Sequence, residues 1–137
     1  MFYKDLKIGR EYEKKALELF DIISYEEPNE ENQAYYDYKV VLPNGKIKYL
    51  EIKADFIGCR TGNFALEYQC SGHISGIDRT KADYYIIFIV GVGIYKIKTK
   101  ILKEMKGRSV YGGDGYRSKM RLIPIRDLEK YKINNKI

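Results

Sequence analysis

A single histidine, two cysteines and the absence of any long apolar run restrict this chain of 137 residues more than its composition does. With His73 alone, no Ser-His or Cys-His nucleophile pair can be argued, and the histidine reads as a satisfied or exposed side chain. Cys59, Cys70 and His73 match no usual zinc spacing, so free thiols are expected in place of a zinc centre or a disulfide. No apolar stretch approaches the ~18 residues of a membrane span, and the opening MFYKDLKIGREYEKK has no signal-peptide core. A cytoplasmic protein is expected, the cytoplasm of an infected host cell included, with no membrane partner. There is no internal repeat.

What is present points to one globular domain over residues 1–137. Its hydrophobic content of 45% is ordinary, and the length allows a core without staples. Lys and Arg number 25 against 19 Asp and Glu, a formal charge of +6. That balance suits a polyanion, provided that the cations cluster on one surface.

The stretch Tyr35 to Ala54, YYDYKVVLPNGKIKYLEIKA, reads as a β-hairpin. Pro43, Asn44 and Gly45 suit a type I turn closed by a left-handed glycine, which sets Leu42 opposite Lys46. Counting back along both strands brings Asp37 opposite Glu51. Asp37, Glu51 and Lys53 then share one face, while Tyr36, Tyr38, Val40, Leu42, Leu50 and Ile52 take the other, toward a core. Two facing carboxylates repel unless something neutralises them, and a divalent cation with oxygen ligands would do so. Mg²⁺ fits such a set, with Lys53 reaching the same phosphate or the attacking water. The same residues also fit a solvated hairpin face with a Lys–Glu pair.

Around the hairpin, residues Asp5 to Asp21 read as a helix with an apolar stripe of Ile8, Tyr12, Ala16, Leu19 and Phe20, and Glu13 beside it. Tyr25 to Gln33 and Asp55 to Asn63 read as loops. Phe64 to Gln69 alternates as a strand, with Glu67 and Gln69 on one face. If that strand pairs with the Glu51 strand, both side chains join the carboxylate site; if not, they lie on a solvated edge. Ser71 to Asp83 is a Gly- and Ser-rich turn in which Ser75, Thr80 and Lys81 could hold phosphate. Tyr84 to Val90 looks like a central strand covered on both faces. Ile94 to Lys98 reads as another strand, followed by a helix over Lys100 to Lys106 capped by Thr99. From Arg108 to Lys119 a loop is expected, in which Arg108, Arg117 and Lys119 interleave with tyrosines in a manner suited to nucleic acid or, equally, to no partner. Met120 to Ile125 reads as the last strand and Arg126 to Tyr131 as a short helix.

Gly9-Arg10-Glu11-Tyr12-Glu13 on the first helix, Asp37, and Glu51-Ile52-Lys53 together resemble the PD-(D/E)xK nuclease superfamily, in particular small phage, viral and archaeal members such as the Holliday junction resolvases. Tyr36 departs from the pattern, standing where the family name has Pro. The resemblance implies an α/β fold with a restriction-endonuclease-like core, a central mixed β-sheet flanked by helices. It implies a metal-dependent endonuclease hydrolysing phosphodiester bonds in DNA, branched or junction DNA included, and is compatible with a homodimer. The catalytic set would be Glu13, Asp37, Glu51, Lys53 and, as an orienting residue, Gln69. Mg²⁺, or Mn²⁺ in its place, would be held by Asp37, Glu51 and the Ile52 backbone carbonyl, with Glu13 joining directly or through water. Lys81, Arg108, Arg117 and Lys119 would bind the nucleic acid. A catalytically silent nucleic-acid-binding protein and a protein-directed regulator on the same fold are the alternatives.

Overall fold

The computed structural model describes residues 2–133. The chain opens with helix α1 (Phe2–Glu18) and then forms strands β1 (Ser24–Glu26), β2 (Tyr38–Val41) and β3 (Ile47–Asp55). A single helical turn, α2 (Gly58–Thr61), leads into β4 (Asn63–Cys70) and the short β5 (His73–Ile74). Strands β6 (Tyr84–Ile89) and β7 (Gly93–Lys98), helix α3 (Thr99–Glu104), strands β8 (Arg108–Gly112) and β9 (Ser118–Pro124) and a 3-10 segment (Ile125–Tyr131) complete the described chain.

The strands form two sheets. One has the order β1-β2-β3-β6-β7 and is mixed, because β3 and β6 run parallel while the other pairs are antiparallel. The other, β5-β4-β9-β8, is antiparallel throughout. Strand β6 explains how they stack. Its even residues Ile86 and Phe88 meet Ala16 and Leu17 of α1 together with Val40, Leu50, Ile52 and Ile94. Its odd residues Tyr85, Ile87 and Ile89 meet Phe64, Leu66 and Ile123 of the second sheet. A strand that feeds two cores must be apolar on both faces, which is why YYIIFI lacks alternation.

The mixed α/β class agrees with expectation, but the covering of the central sheet differs. Helix α1 covers one face, whereas the second sheet covers much of the other, because β4 and β9 present alternating apolar residues that need burial. The stretch Arg108 to Lys119 is not a free loop: β8 pairs with β9 from Arg108↔Leu122 to Gly112↔Ser118. Its glycines concealed an edge strand. The start of the segment read as an acidic loop pairs with β2 as β1. Thr99 begins α3 as its first residue rather than as its cap, which is Lys98, and the terminal helix is a 3-10 segment.

Candidate active site

The β2–β3 turn has the geometry that its sequence predicts. Leu42 N–H donates to Lys46 O at 2.9 Å, Gly45 N–H to Leu42 O at 2.8 Å, and Gly45 sits at φ +83°. The register that follows pairs Tyr38 with Leu50 and Val41 with Ile47. The paired register ends there, and Asp37, just before β2, is held to Leu50 and Ile52 of β3, near enough for its charge to act on Glu51 between them. The Asp37 N–H donates to Leu50 O at 2.8 Å, and Asp37 Oδ2 accepts the Ile52 N–H at 2.7 Å. Lys53 Nζ lies 3.6 Å from Glu51 Oε1. Tyr38, Val40, Leu50 and Ile52 are buried on the opposite face, as the alternation requires. Tyr36 departs from that set: it precedes β2, and its ring packs on Tyr49 at 4.7 Å between centroids.

Burial, more than anything else, raises Asp37 above the ordinary carboxylate range, against the opposing pull of the Ile52 hydrogen bond and Lys53. Glu51 is pushed up to about 7, first by burial and then by the Asp37 charge, with Lys53 only partly offsetting both. Two neighbouring acids that resist ionisation together are an arrangement that a cation would relieve.

Glu13 approaches from α1. Its Oε2 accepts the Tyr38 hydroxyl at 3.1 Å, and burial raises its pKa, with the Asp37 charge adding to the shift. Burial, and after it the charge and contact of Glu13, push the Tyr38 hydroxyl up. Among the described residues no group of three or more His, Cys, Asp or Glu converges as a metal cage. The oxygen donors at hand are therefore Asp37, Glu51 and the carbonyl of Ile52. That carbonyl leaves β3 on the same side as the N–H that Asp37 accepts, beyond the start of β2. Two carboxylates and a carbonyl, all hard oxygens, fit Mg²⁺ or Mn²⁺ with water filling the remaining positions.

The pairing on which Gln69 depended is not formed. Strand β4 lies in the second sheet between β5 and β9, and Gln69 stands opposite Ile74 and Lys119. Sheet packing brings Glu67 toward the site instead, because it shares the lining of a small cavity with Lys53 and Tyr85. Its carboxylate accepts Ser75 Oγ at 2.9 Å and Ser118 Oγ at 2.6 Å.

The expected nucleic-acid contacts are dispersed. Lys81 is exposed near the Asp37 end of the site: its N–H donates to Tyr35 O at 2.8 Å and its Nζ lies 4.3 Å from the Tyr35 ring centre. Arg108 and Lys119 are on opposite faces of the second sheet, since Arg108 pairs with Leu122 while Lys119 pairs with Tyr111, three residues along β8. Lys119 Nζ lies over the Tyr111 ring at 5.4 Å, and Arg117 is exposed in the β8–β9 turn.

Two surface cavities give Arg108 a different set of companions. One, of about 400 Å³, is lined by Lys53, Asp55, Phe56, Asn63, Ala65 and Leu122 among others. The next, of about 510 Å³, is lined by Asn63, Lys106, Gly107, Arg108, Leu122 and Pro124. Sharing Asn63 and Leu122, they make one groove from Lys53 to Lys106 and Arg108. Sequence reading missed Lys106 and Tyr85. The face of Ala65, exposed, and Leu122, half-buried, was a faint signal for the groove, whereas the β3–β6 pairing that places Tyr85 had none. Comparison of the chain with protein-family models, with curated proteins and with solved structures finds no match.

Proposed function

We propose that the protein is a Mg²⁺-dependent nuclease of the PD-(D/E)xK type that hydrolyses phosphodiester bonds, with DNA as its substrate. The observation that carries this reading is the hairpin, in which Asp37 is bonded to Leu50 and Ile52 on either side of Glu51 and Lys53 is paired with Glu51. Mg²⁺, replaceable by Mn²⁺, supplies Lewis-acid polarisation of a phosphate oxygen and a more acidic water when bound. Asp37, Glu51 and the Ile52 carbonyl would hold it, and Glu13, anchored by Tyr38, would contribute through water.

Lys53 is half-exposed and tethered to Glu51, so its ammonium can meet an incoming phosphate and offset charge that develops there. The groove continues from Lys53 toward Lys106 and Arg108, a path along which a phosphate backbone finds cations at both ends. Lys81 is bonded to Tyr35, two residues before Asp37.

The test is incubation of the pure protein with plasmid, linear, single-stranded and four-way-junction DNA in Mg²⁺ or Mn²⁺. Cleavage is expected, and Asp37→Asn, Glu51→Gln and Lys53→Ala should each lower it by about 10²-fold or more with the fold intact. Full activity of either carboxylate variant would remove the site assignment. Salt-sensitive binding without cleavage in any divalent ion would leave a nucleic-acid-binding domain in place of an enzyme.

A further inference from the structure

Phe56 and Ile57 follow directly after β3 and stay 49% and 57% exposed, although both are large and apolar. Isolated exposed apolar side chains are ordinary, but these two line the same cavity of about 400 Å³ with Ala54, Phe64, Ala65 and Leu122. Together they make an open apolar trough beside Lys53, which lines it as well.

The turn that carries the pair is firmly built. Asp55 Oδ1 accepts the N–H groups of Ile57 and Gly58 at 2.8 Å each, and Gly62 N–H donates to Gly58 O at 2.8 Å. A Cβ on Gly58 would lie 2.9 Å from the Asn63 carbonyl oxygen, so the turn presses against the start of β4. The Phe56 ring meets Tyr12 of α1 in a T-shaped contact at 5.7 Å between centroids, and Tyr12 in turn meets Phe88 of β6 at 5.1 Å. The ring is thereby anchored to the core while half of its surface stays open, and a ligand that covers it loses little to ordering.

Charge decides what the trough takes. Lys53 lines one end, and the adjoining cavity, which shares Asn63 and Leu122, adds Lys106 and Arg108 at the other. Asp55, the carboxylate on this lining, has an oxygen engaged by the turn. An apolar peptide would leave the three cations without partners, whereas a nucleic-acid strand brings a flat base flanked by phosphates. In a duplex the faces of each base are covered by its neighbours, so an unpaired base is the one that can lie on the ring.

We propose that the trough is a site for one unpaired nucleobase, which stacks on Phe56 beside Ile57 while the phosphates on either side of it meet Lys53 at one end and Lys106 and Arg108 at the other. The ligand class is a single strand, or the unpaired stretch of a flap or a splayed junction. The base site stands on the trough and its charges, whereas unpaired DNA as the strand that is cut rests on the nuclease reading above.

The probe is a single-stranded oligonucleotide of about 15 nucleotides carrying 2-aminopurine at its centre, compared with the same sequence as a blunt duplex, both in Ca²⁺. Stacking on a ring quenches the fluorescence of 2-aminopurine. The parent should bind the single strand more tightly than the duplex and quench the probe. Phe56→Ala should weaken the single strand about tenfold and lose the quench, with the salt slope of binding unchanged because no charge is removed. Phe56→Tyr keeps a ring and should keep both. Since Phe56→Ala also loses the Tyr12 contact, Ala65→Leu gives an independent reading: it adds bulk at an exposed position on the trough, leaves Phe56 and Tyr12 in place, and should weaken the single strand and not the duplex.

Equal affinity of the parent for the two forms, a quench that survives Phe56→Ala, or a single strand bound as tightly by Ala65→Leu as by the parent overturns the base site. An enzyme that cuts duplex DNA all the same then keeps the nuclease reading. The expected binding pattern with no cleavage in Mg²⁺ or Mn²⁺ upholds the base site and removes the nuclease reading alone.

Discussion

Asp37 Oδ2 accepts the backbone N–H of Ile52 at 2.7 Å, which fastens Asp37 to the strand that carries Glu51. The tether holds two reluctant acids together, since burial raises both and each lacks a compensating cation beyond Lys53. Asp37→Asn keeps an oxygen for the Ile52 N–H and exchanges the charge for an amide. The metal-free variant should therefore melt higher than the parent at pH 8, by an amount on the order of 1–2 kcal/mol. Ca²⁺ at about a hundred times its dissociation constant should stabilise the parent by roughly 2.7 kcal/mol and the variant far less. Calorimetry with and without Ca²⁺ measures both effects. A parent indifferent to Ca²⁺, with a variant that melts lower, would describe a hairpin surface with no metal site.

The acidity of Glu51 sets a pH dependence with a definite sign. Its carboxyl has an ordinary value of 4.5 and is pushed to about 7 in the folded protein. Between those values the unfolded chain loses its proton first, so the contribution of Glu51 to the stability of the metal-free protein is full below 4.5 and is lost as pH rises toward 7. The decline attributable to Glu51 is on the order of 3 kcal/mol. Asp37 and Glu13 are raised as well and act in the same sense. Urea titrations across pH 4.5 to 8 should show the fall in the parent and a shallower one in Glu51→Gln. Stability that climbs over this window would mean that the pair is not held unneutralised in the fold.

What was legible in the chain was local. Pro43-Asn44-Gly45 fixed a turn, and the turn fixed a register from Val41↔Ile47 to Tyr38↔Leu50, without any tertiary information; Asp37 lies just beyond it, held by Leu50 and Ile52. The uninterrupted apolar run of β6 announced a strand covered on both faces, and it is. Pairing between distant segments was not legible. Nothing in Phe64 to Gln69 tells whether it joins the Glu51 strand or a second sheet, and Gln69 was misplaced for that reason. Similarly, three glycines between Val110 and Tyr116 hid the edge strand β8, and with it the fact that Arg108 and Lys119 face opposite ways.

That opposition gives a test of the groove. In the presence of Ca²⁺, affinity for DNA should fall steeply with salt as neutralised phosphates release counterions. Arg108→Ala and Lys106→Ala, on the groove that leads to Lys53, should each lower the slope of log K against log salt by about 0.9. Lys119→Ala, on the face with Tyr111, should leave it unchanged. Fluorescence anisotropy over a salt series reads the slopes directly. The reverse result, with Lys119 sensitive and Arg108 silent, would move the contact surface to the other side of the second sheet.

Gly76 tests how closely the wall of the cavity beside Lys53 is built. It sits at φ +49°, and a Cβ there would fall far inside contact distance of the Glu67 carbonyl oxygen, a backbone atom that cannot swing aside. The approach is close because Ser75 N–H donates to Tyr68 O at 3.1 Å while its hydroxyl reaches Glu67, binding the turn to the irregular part of β4 between Glu67 and Gln69. Gly76→Ala should cost about 2 kcal/mol or more, combining left-handed strain with overpacking. Gly72→Ala isolates the first of these contributions, since Gly72 sits at φ +81° with nothing within 4 Å of a new Cβ, and should cost only about 1–2 kcal/mol. Ser75→Ala, which removes a single hydroxyl, should cost about 1 kcal/mol. Urea midpoints at constant m-value give all three. Equal losses at Gly76 and Gly72 would show that the turn does not press against β4, and the cavity lined by Lys53, Glu67 and Tyr85 would then lack the wall that closes it.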